Sequence, residues 1–171
     1  MKKHILTSFF CILTLFQSSF GQQAKWYNVP TSPKTLMVGA GPTIFGANLK
    51  GGIFLKQHFL VGASIEVHEF LSSRKEAGLF ARKYVNSNRL SVFVQVGPSY
   101  GSFQEWDFDM DNKTPGPTPL YRRLKLNGMA GAEIRITQLI SIEGELGIGR
   151  IMNTNWWAPS IRSSVNLRFY K

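Results

Sequence analysis

The chain has 171 residues, 20 Lys and Arg against 10 Asp and Glu, and one cysteine. This length suits one domain of ordinary size, and a hydrophobic fraction of 43% excludes a disordered composition. A single cysteine excludes an internal disulfide framework and a cysteine-rich zinc module.

The first 21 residues have the three parts of a secretory signal peptide. A start with Lys2 and Lys3 precedes a mostly apolar run over 5–16, and small residues stand before a cut after Gly21. The apolar run is too short for a transmembrane helix, which needs about 20 residues. We therefore predict a signal peptide over 1–21, with a retained N-terminal anchor as the alternative.

Removal of that signal peptide changes the composition of the chain. It leaves 150 of the 171 residues and no cysteine, and it lowers the formal net charge from +10 to +8, because two lysines and no acid are lost. We predict an N-terminal lead over 22–34 and one domain over 35–171.

Apolar and polar residues alternate with a period of two through that domain, which is typical of β-strands. In residues 140–152, for example, Ile142 and Leu146 share one face, while Glu143 and Glu145 share the other. The pattern predicts eight strands, over 35–45, 47–56, 59–70, 78–85, 89–103, 121–136, 140–152 and 161–171. The helical pattern fits none of these segments, so the predicted class is all-β.

Short and long connections alternate between the predicted strands. Residues 56–58, 86–88 and 137–139 are tight turns, whereas 71–77, 104–120 and 153–160 are longer joints. Short periplasmic turns and longer external loops are typical of a transmembrane β-barrel. We therefore predict an eight-stranded antiparallel up-and-down transmembrane β-barrel with both termini on the periplasmic side.

The sense of the alternation separates this fold from a soluble one. A soluble sandwich or small barrel is apolar inside, whereas a membrane barrel is apolar outside and polar in its lumen. Charges of both signs in mid-strand favour the membrane barrel, and so do aromatic residues at strand ends. The predicted aromatic girdles comprise Trp106, Phe108, Trp156 and Trp157 toward the loops, and Phe59, Tyr84, Phe169 and Tyr170 toward the turns. A secreted soluble barrel or sandwich is the alternative.

Three stretches resemble a known family. Residues 79–101 (LFARKYVNSNRLSVFVQVGPSYG) and 51–67 (GGIFLKQHFLVGASIEV) resemble the outer-membrane β-barrel domain common in Bacteroidetes, which is related in shape to OmpA and OmpX barrels. The ending VNLRFYK resembles the last strand that the barrel-assembly machinery reads, although Lys171 stands where an aromatic residue usually ends the chain. The resemblance implies a location in the cell outer membrane and no catalytic residue.

The polar faces of the predicted strands would form a charged lumen. The predicted network comprises Glu66, Arg82, Arg123, Lys125, Glu133, Arg135, Glu143, Glu145, Arg162 and Arg168, with Lys50 and His68 on the same face. Buried charges cost several kcal/mol each unless they are paired, so we expect a compensated plug. Glu133 and Glu143 should lie opposite each other, with Arg135 or Arg168 bridging them. A proton or ion path is the alternative.

A weaker candidate site lies in a loop. Asp107, Asp109 and Asp111 have the spacing of a calcium loop, but Asn112 and Thr118 stand where that motif needs Gly and Glu. A weak surface cation site or a solvated loop are the two interpretations. No motif for a cofactor or for nucleic acid is present, so we predict neither as a partner.

The sequence leaves the biochemical role open. Our first hypothesis is a small non-porin, non-enzymatic barrel with a structural or surface-interaction role through its external loops. Outer-membrane lipids and lipopolysaccharide are expected partners, with the barrel-assembly machinery, and an external ligand is unknown. The alternatives are a lipid-modifying barrel enzyme, using His68 with Ser72 or Ser73, and a secreted soluble ligand-binding barrel.

Overall fold

A computed structural model of the chain describes residues 33–44, 46–68, 72–86, 88–107, 116–117, 120–154 and 157–169. The predicted signal peptide and nearly all of the predicted lead lie outside these residues. The strands are β1 (Leu36–Pro42), β2 (Gly46–Lys56), β3 (Phe59–His68), β4 (Ser72–Tyr84), β5 (Leu90–Asp107), β6 (Gly116–Pro117), β7 (Tyr121–Arg135), β8 (Ile140–Ile151) and β9 (Trp157–Phe169). None of the described residues forms a helix long and apolar enough to cross a membrane.

Eight of these strands close into an antiparallel barrel. Consecutive long strands pair with each other, and β9 returns to pair with β1 through the register Leu36↔Phe169. The two-residue strand β6 pairs only with the end of β5. The predicted fold class, an eight-stranded up-and-down barrel, is therefore confirmed.

The connections define two ends of the barrel. The turn end has the short connections at 57–58, 85–89 and 136–139, together with the start of β1 and the finish of β9. The loop end has the connections at 43–45, 69–71, 108–120 and 152–156. At the turn between β2 and β3, His58 has a φ of 65°, a left-handed conformation that closes the two-residue reversal.

Three strands extend further toward the loop end than the sequence predicts. Residues 72–77, 104–107 and 157–160 belong to β4, β5 and β9, so the predicted joints 71–77, 104–120 and 153–160 were too long. The backbone ladder continues here past the apolar band. In β4 and β5 the outward positions beyond that band include the polar residues Lys75, Ser102 and Gln104, so the hydrophobic alternation no longer marks the strand there. In β9 the outward positions are Trp157 and Pro159.

The outer face is apolar and the lumen is polar. Val94 and Leu146, which point outward, are 51% and 62% exposed, whereas their strand neighbours Gln95 and Glu145 are 5% and 1% exposed. The phase predicted for every strand is confirmed, including the shared inward face of Phe80, Arg82 and Tyr84. This is the reverse of a soluble barrel, whose apolar residues point inward.

The lumen near the turn end also holds an apolar cluster, which comprises Met37, Phe54, Leu60, Phe80, Tyr84 and Phe93. Tyr84 was predicted in an aromatic girdle, and this was wrong: it is 1% exposed and packs against Phe54 and Phe93. Trp157 and Phe169 are exposed on the outer face as the girdle prediction requires. The side chains of Trp106, Phe108, Trp156 and Tyr170 lie outside the described part of the structure.

Candidate functional site: the charged lumen

Most of the predicted lumen network is buried inside the barrel. Within the described residues the lumen holds five carboxylates and seven Lys or Arg side chains: Glu66, Glu76, Glu133, Glu143, Glu145, Lys50, Arg74, Arg82, Lys125, Arg135, Arg162 and Arg168. Arg123 is the exception, because it is exposed and its guanidinium lies 5.9 Å from the ring of Tyr121. It has the inward phase of β7 but stands beyond the packed part of the lumen.

The central cluster is built around two glutamates on β8. Lys50 contacts the carboxylates of both Glu143 and Glu145. Arg82 donates from Nη1 to Glu143 Oε2 at 2.8 Å and from Nη2 to Glu145 Oε1 at 3.1 Å. Asn166 Nδ2 donates to Glu143 Oε2 at 2.7 Å. Strands β2, β4, β8 and β9, drawn from around the barrel, thus meet at one pair of carboxylates.

Arg82 is the most fully engaged side chain of the central cluster. It is 0% exposed, and its Nε donates to Gln95 Oε1 at 2.9 Å, directly across the β4–β5 ladder. The guanidinium carbon lies 3.9 Å from the centroid of the Phe93 ring, which is cation–π geometry. Ion pairs, hydrogen bonds and an aromatic ring therefore fix the position of the Arg82 guanidinium.

A second cluster lies nearer the turn end, around Glu133. Tyr84 Oη donates to Glu133 Oε2 at 2.7 Å, and Arg168 Nη2 lies 2.5 Å from Glu133 Oε1. The register pairs Glu133 with Glu143, which confirms that these carboxylates are opposite each other. Arg168 contacts Glu133 whereas Arg82 contacts Glu143, so each carboxylate has its own cation.

A third cluster fills the loop half of the lumen, around Glu76. Arg74 contacts Glu76, and Lys125 Nζ lies 2.7 Å from its Oε1. Ser99 Oγ donates to Glu76 Oε2 at 2.7 Å. The sequence analysis places neither Arg74 nor Glu76 in the lumen, because it predicts a joint over 71–77. Extending the period of two back from Phe80 and Arg82 places both residues on the inward face.

Glu66 completes the lumen charges at the loop end. His68 Nε2 lies 2.5 Å from Glu66 Oε1, and Arg162 contacts the other carboxylate oxygen. A cavity beside Glu66, Glu76 and Arg162 has a volume of about 10 Å³. That is about the smallest volume that holds one water molecule.

Of the residues weighed for catalysis, His68 and Ser73 do not come together. His68 points into the lumen and is 7% exposed, whereas Ser73 has the outward phase of β4. A nucleophile and its base need to be within hydrogen-bond reach, and these two lie on opposite faces of the sheet. The side chain of Ser72 lies outside the described residues.

The candidate cation site falls outside the described side chains. Asp107 ends β5, but its side chain is not described, and Asp109 and Asp111 lie in the undescribed connection after it. In the described ranges no group of three or more His, Cys, Asp or Glu residues could hold a metal ion.

The closed ring, the apolar outer face and the charged lumen define an eight-stranded transmembrane β-barrel. Its architecture is similar to that of the N-terminal β-barrel domain of Pseudomonas aeruginosa OprF, with a TM-score of 0.63 and 15% identity over 80% of this chain and 98% of that one. It is also similar to Ail, the attachment invasion locus protein of Yersinia pestis, with a TM-score of 0.54 and 13% identity over 81% of this chain and 99% of that one.

These similarities establish the fold. No family model and no curated protein sequence matches the chain. These two solved structures come from Pseudomonas and Yersinia, so they do not support the predicted Bacteroidetes origin, which stays a prediction from the sequence motifs.

Proposed function

We propose that the chain is a small, non-enzymatic outer-membrane barrel that holds its external loops at the cell surface, in a structural or surface-interaction role. The observation that carries this proposal is the combination of an apolar outer face with a lumen filled by ion pairs. The outer face suits a lipid environment, and the filled lumen leaves the loop end as the part available to other molecules.

Export and assembly are part of the proposal. The predicted signal peptide over 1–21 would direct the chain through the inner membrane, and the strand ending at Phe169 would be read by the barrel-assembly machinery. The external ligand is unknown. The Ail similarity supports a surface role, since that protein is named for attachment and invasion.

Heat-modifiable gel migration tests the barrel in its membrane form. The protein extracted from the outer membrane should migrate differently before and after boiling, because a closed ladder of strands resists detergent until heated. A fractionation control should place it with the membranes and require detergent for its release. Recovery in the soluble fraction, with one migration position, would refute the outer-membrane location.

The filled lumen predicts an absence of steady conductance. Central, turn-end and loop-end clusters occupy successive levels of the barrel, and the cavity beside Glu66, Glu76 and Arg162 has room for about one water molecule. Reconstituted protein in planar bilayers should therefore give no stable open-channel steps. Large, long-lived conductance from the wild-type protein would show an open lumen and favour the ion-path alternative.

Protease accessibility tests the orientation. The connection 108–120 between β5 and β7 carries Asp109, Asp111 and Pro115, and acidic residues are costly within a bilayer. Protease added to intact cells should cut there first and leave two fragments in the membrane. First cleavage at residues 86–88, on the turn end, would reverse the proposed orientation.

A further inference from the structure

Charge is separated by sign between the lumen and the outer surface. Every carboxylate whose side chain the structure describes is buried in the lumen. The exposed charged side chains among the described residues are all basic: Lys34, Lys56, Lys75, Lys83, Arg89, Arg122, Arg123 and Arg150. Within that part of the chain, the surface that faces outward therefore presents cations alone.

Five of those cations occupy the two ends of the outer face. Lys75, Arg122 and Arg150 have outward phases on β4, β7 and β8 near the loop end, while Lys56 and Lys83 lie near the turn end. The outward positions between them carry no charged residue in the described strands. This distribution fits the two headgroup levels of a bilayer around an apolar band.

Two of the loop-end cations flank one position of the sheet. The registers Lys75↔Ser102 and Ser102↔Arg122 place them on either side of Ser102. Two strand spacings separate their Cα atoms by about 10 Å. Both side chains are exposed and point to the same face, so a single anionic group can lie between them.

The residues next to Lys75 and Arg122 suit the part of a lipid between its headgroup and its acyl chains. Tyr100, two positions from Ser102 on β5, is 56% exposed and pairs with Leu124, which is 47% exposed. On β8, Arg150 lies 5.7 Å from the ring of the exposed Trp157. An amphipathic aromatic side chain below a cation is typical of the boundary between headgroups and hydrocarbon.

We propose that Lys75 and Arg122, flanking Ser102 on the outer face, bind a phosphate group of lipopolysaccharide in the external leaflet. The proposal rests on the proposed function, which places the loop end outside. Arginine offers two parallel donors to phosphate and lysine adds a point charge, while the acyl chains lie along the apolar face below. Arg150 extends the basic surface toward a second phosphate.

The test measures lipopolysaccharide that stays with the barrel. The full chain is expressed in a Gram-negative host and extracted from outer membranes in a neutral detergent, and the bound lipid is quantified by native mass spectrometry. The K75Q/R122Q variant should retain about thirtyfold less lipopolysaccharide than the wild type, since each basic residue contributes about 1 kcal/mol toward an anionic lipid surface and about 1.4 kcal/mol corresponds to a tenfold change. The matched control is K56Q/K83Q, which removes the same charge from the turn end and should retain wild-type amounts.

Competition identifies the source of the phosphate. Added lipopolysaccharide should displace the retained lipid, whereas phosphatidylglycerol and inorganic phosphate should not. Equal losses in the two double variants would show attraction by net charge and overturn the site, as would equal displacement by phosphatidylglycerol. A heat-modifiable barrel that retains no lipopolysaccharide would overturn this inference alone, whereas a protein absent from the membrane would overturn the proposed function as well.

Discussion

Replacing Arg82 with methionine should destabilise the barrel by about 3–5 kcal/mol, the loss measured when one partner of a buried ion pair is removed. Arg82 is fully buried and contacts both Glu143 and Glu145. Methionine keeps an unbranched apolar side chain but lacks the guanidinium, so the ion pairs, the hydrogen bond to Gln95 and the cation–π contact with Phe93 are lost together. The cost arises because the two carboxylates keep their negative charge within the barrel and lose one of the two cations they share, which leaves Lys50 to compensate both.

Equilibrium urea unfolding in lipid vesicles measures this loss. Lys83→Met is the control, because Lys83 is the next residue on β4 and is exposed on the outer face. Its variant should stay within about 0.5 kcal/mol of the wild type, as surface substitutions usually do. A loss from Arg82→Met no larger than that of the control would show that the central cluster does not hold the lumen together.

A double variant separates the electrostatic cost from lost packing. In R82M/E143Q the uncompensated charge at Glu143 is removed, so the loss should be smaller than the sum of the two single losses. Strict additivity would mean that Arg82 acts through its contacts with Phe93 and Gln95 rather than through its charge. Both contacts are lost in either background, so the comparison isolates the ion pair.

The phase of the strands was predictable because the two faces of a membrane barrel have very different surroundings, lipid on the outside and a polar lumen on the inside. Lipid selects apolar residues at every second position, and this is visible in 140–152 and 161–171 without any knowledge of the closure. The lumen charges followed from the same phase, which is why Glu133, Glu143 and Glu145 were identified together. Their pairing across strands required the register, which the hydrophobic pattern leaves open.

The sequence was less informative where the strand leaves the hydrocarbon. Arg74 and Glu76 lie in the ladder of β4, but the outward residue between them is Lys75, so no apolar alternation marks the strand. Arg123 shows the opposite error, since its phase is inward but it stands beyond the packed lumen. In both cases the backbone hydrogen bonds determine the extent of the strand. The side-chain pattern marks only the part of the strand that lies within the hydrocarbon.

Tyr84 shows a further limit of pattern reading. A two-class alternation separates inward from outward positions but does not say which inward positions are apolar. The turn half of the lumen packs Phe54, Tyr84 and Phe93 together with Glu133, so aromatic and charged residues share one face. The pattern therefore predicts an interfacial aromatic residue near the strand end, whereas the hydroxyl group of Tyr84 donates a hydrogen bond to the buried carboxylate of Glu133.

Replacing Leu146 with arginine should cost about 2–4 kcal/mol of folding free energy in a bilayer, the range measured for a lipid-facing arginine near the midplane. Leu146 is 62% exposed in the middle of β8, between the outward residues Ala130 and Ile161 of the neighbouring strands. In water an exposed leucine of this kind would tolerate arginine at little cost. The size of the loss therefore reports whether this face lies in hydrocarbon.

Leu139→Arg is the matched control, because it makes the same chemical change at a residue of similar exposure, 53%, in the turn between β7 and β8. Near the interface an arginine costs about 0–1 kcal/mol, since the side chain reaches the headgroups. Reversible unfolding of both variants in vesicles of one lipid gives the two losses directly. A large loss for Leu146→Arg with a small one for Leu139→Arg is the expected result. Equal losses would mean that the apolar outer face does not lie within a membrane, and the transmembrane assignment would have to be abandoned.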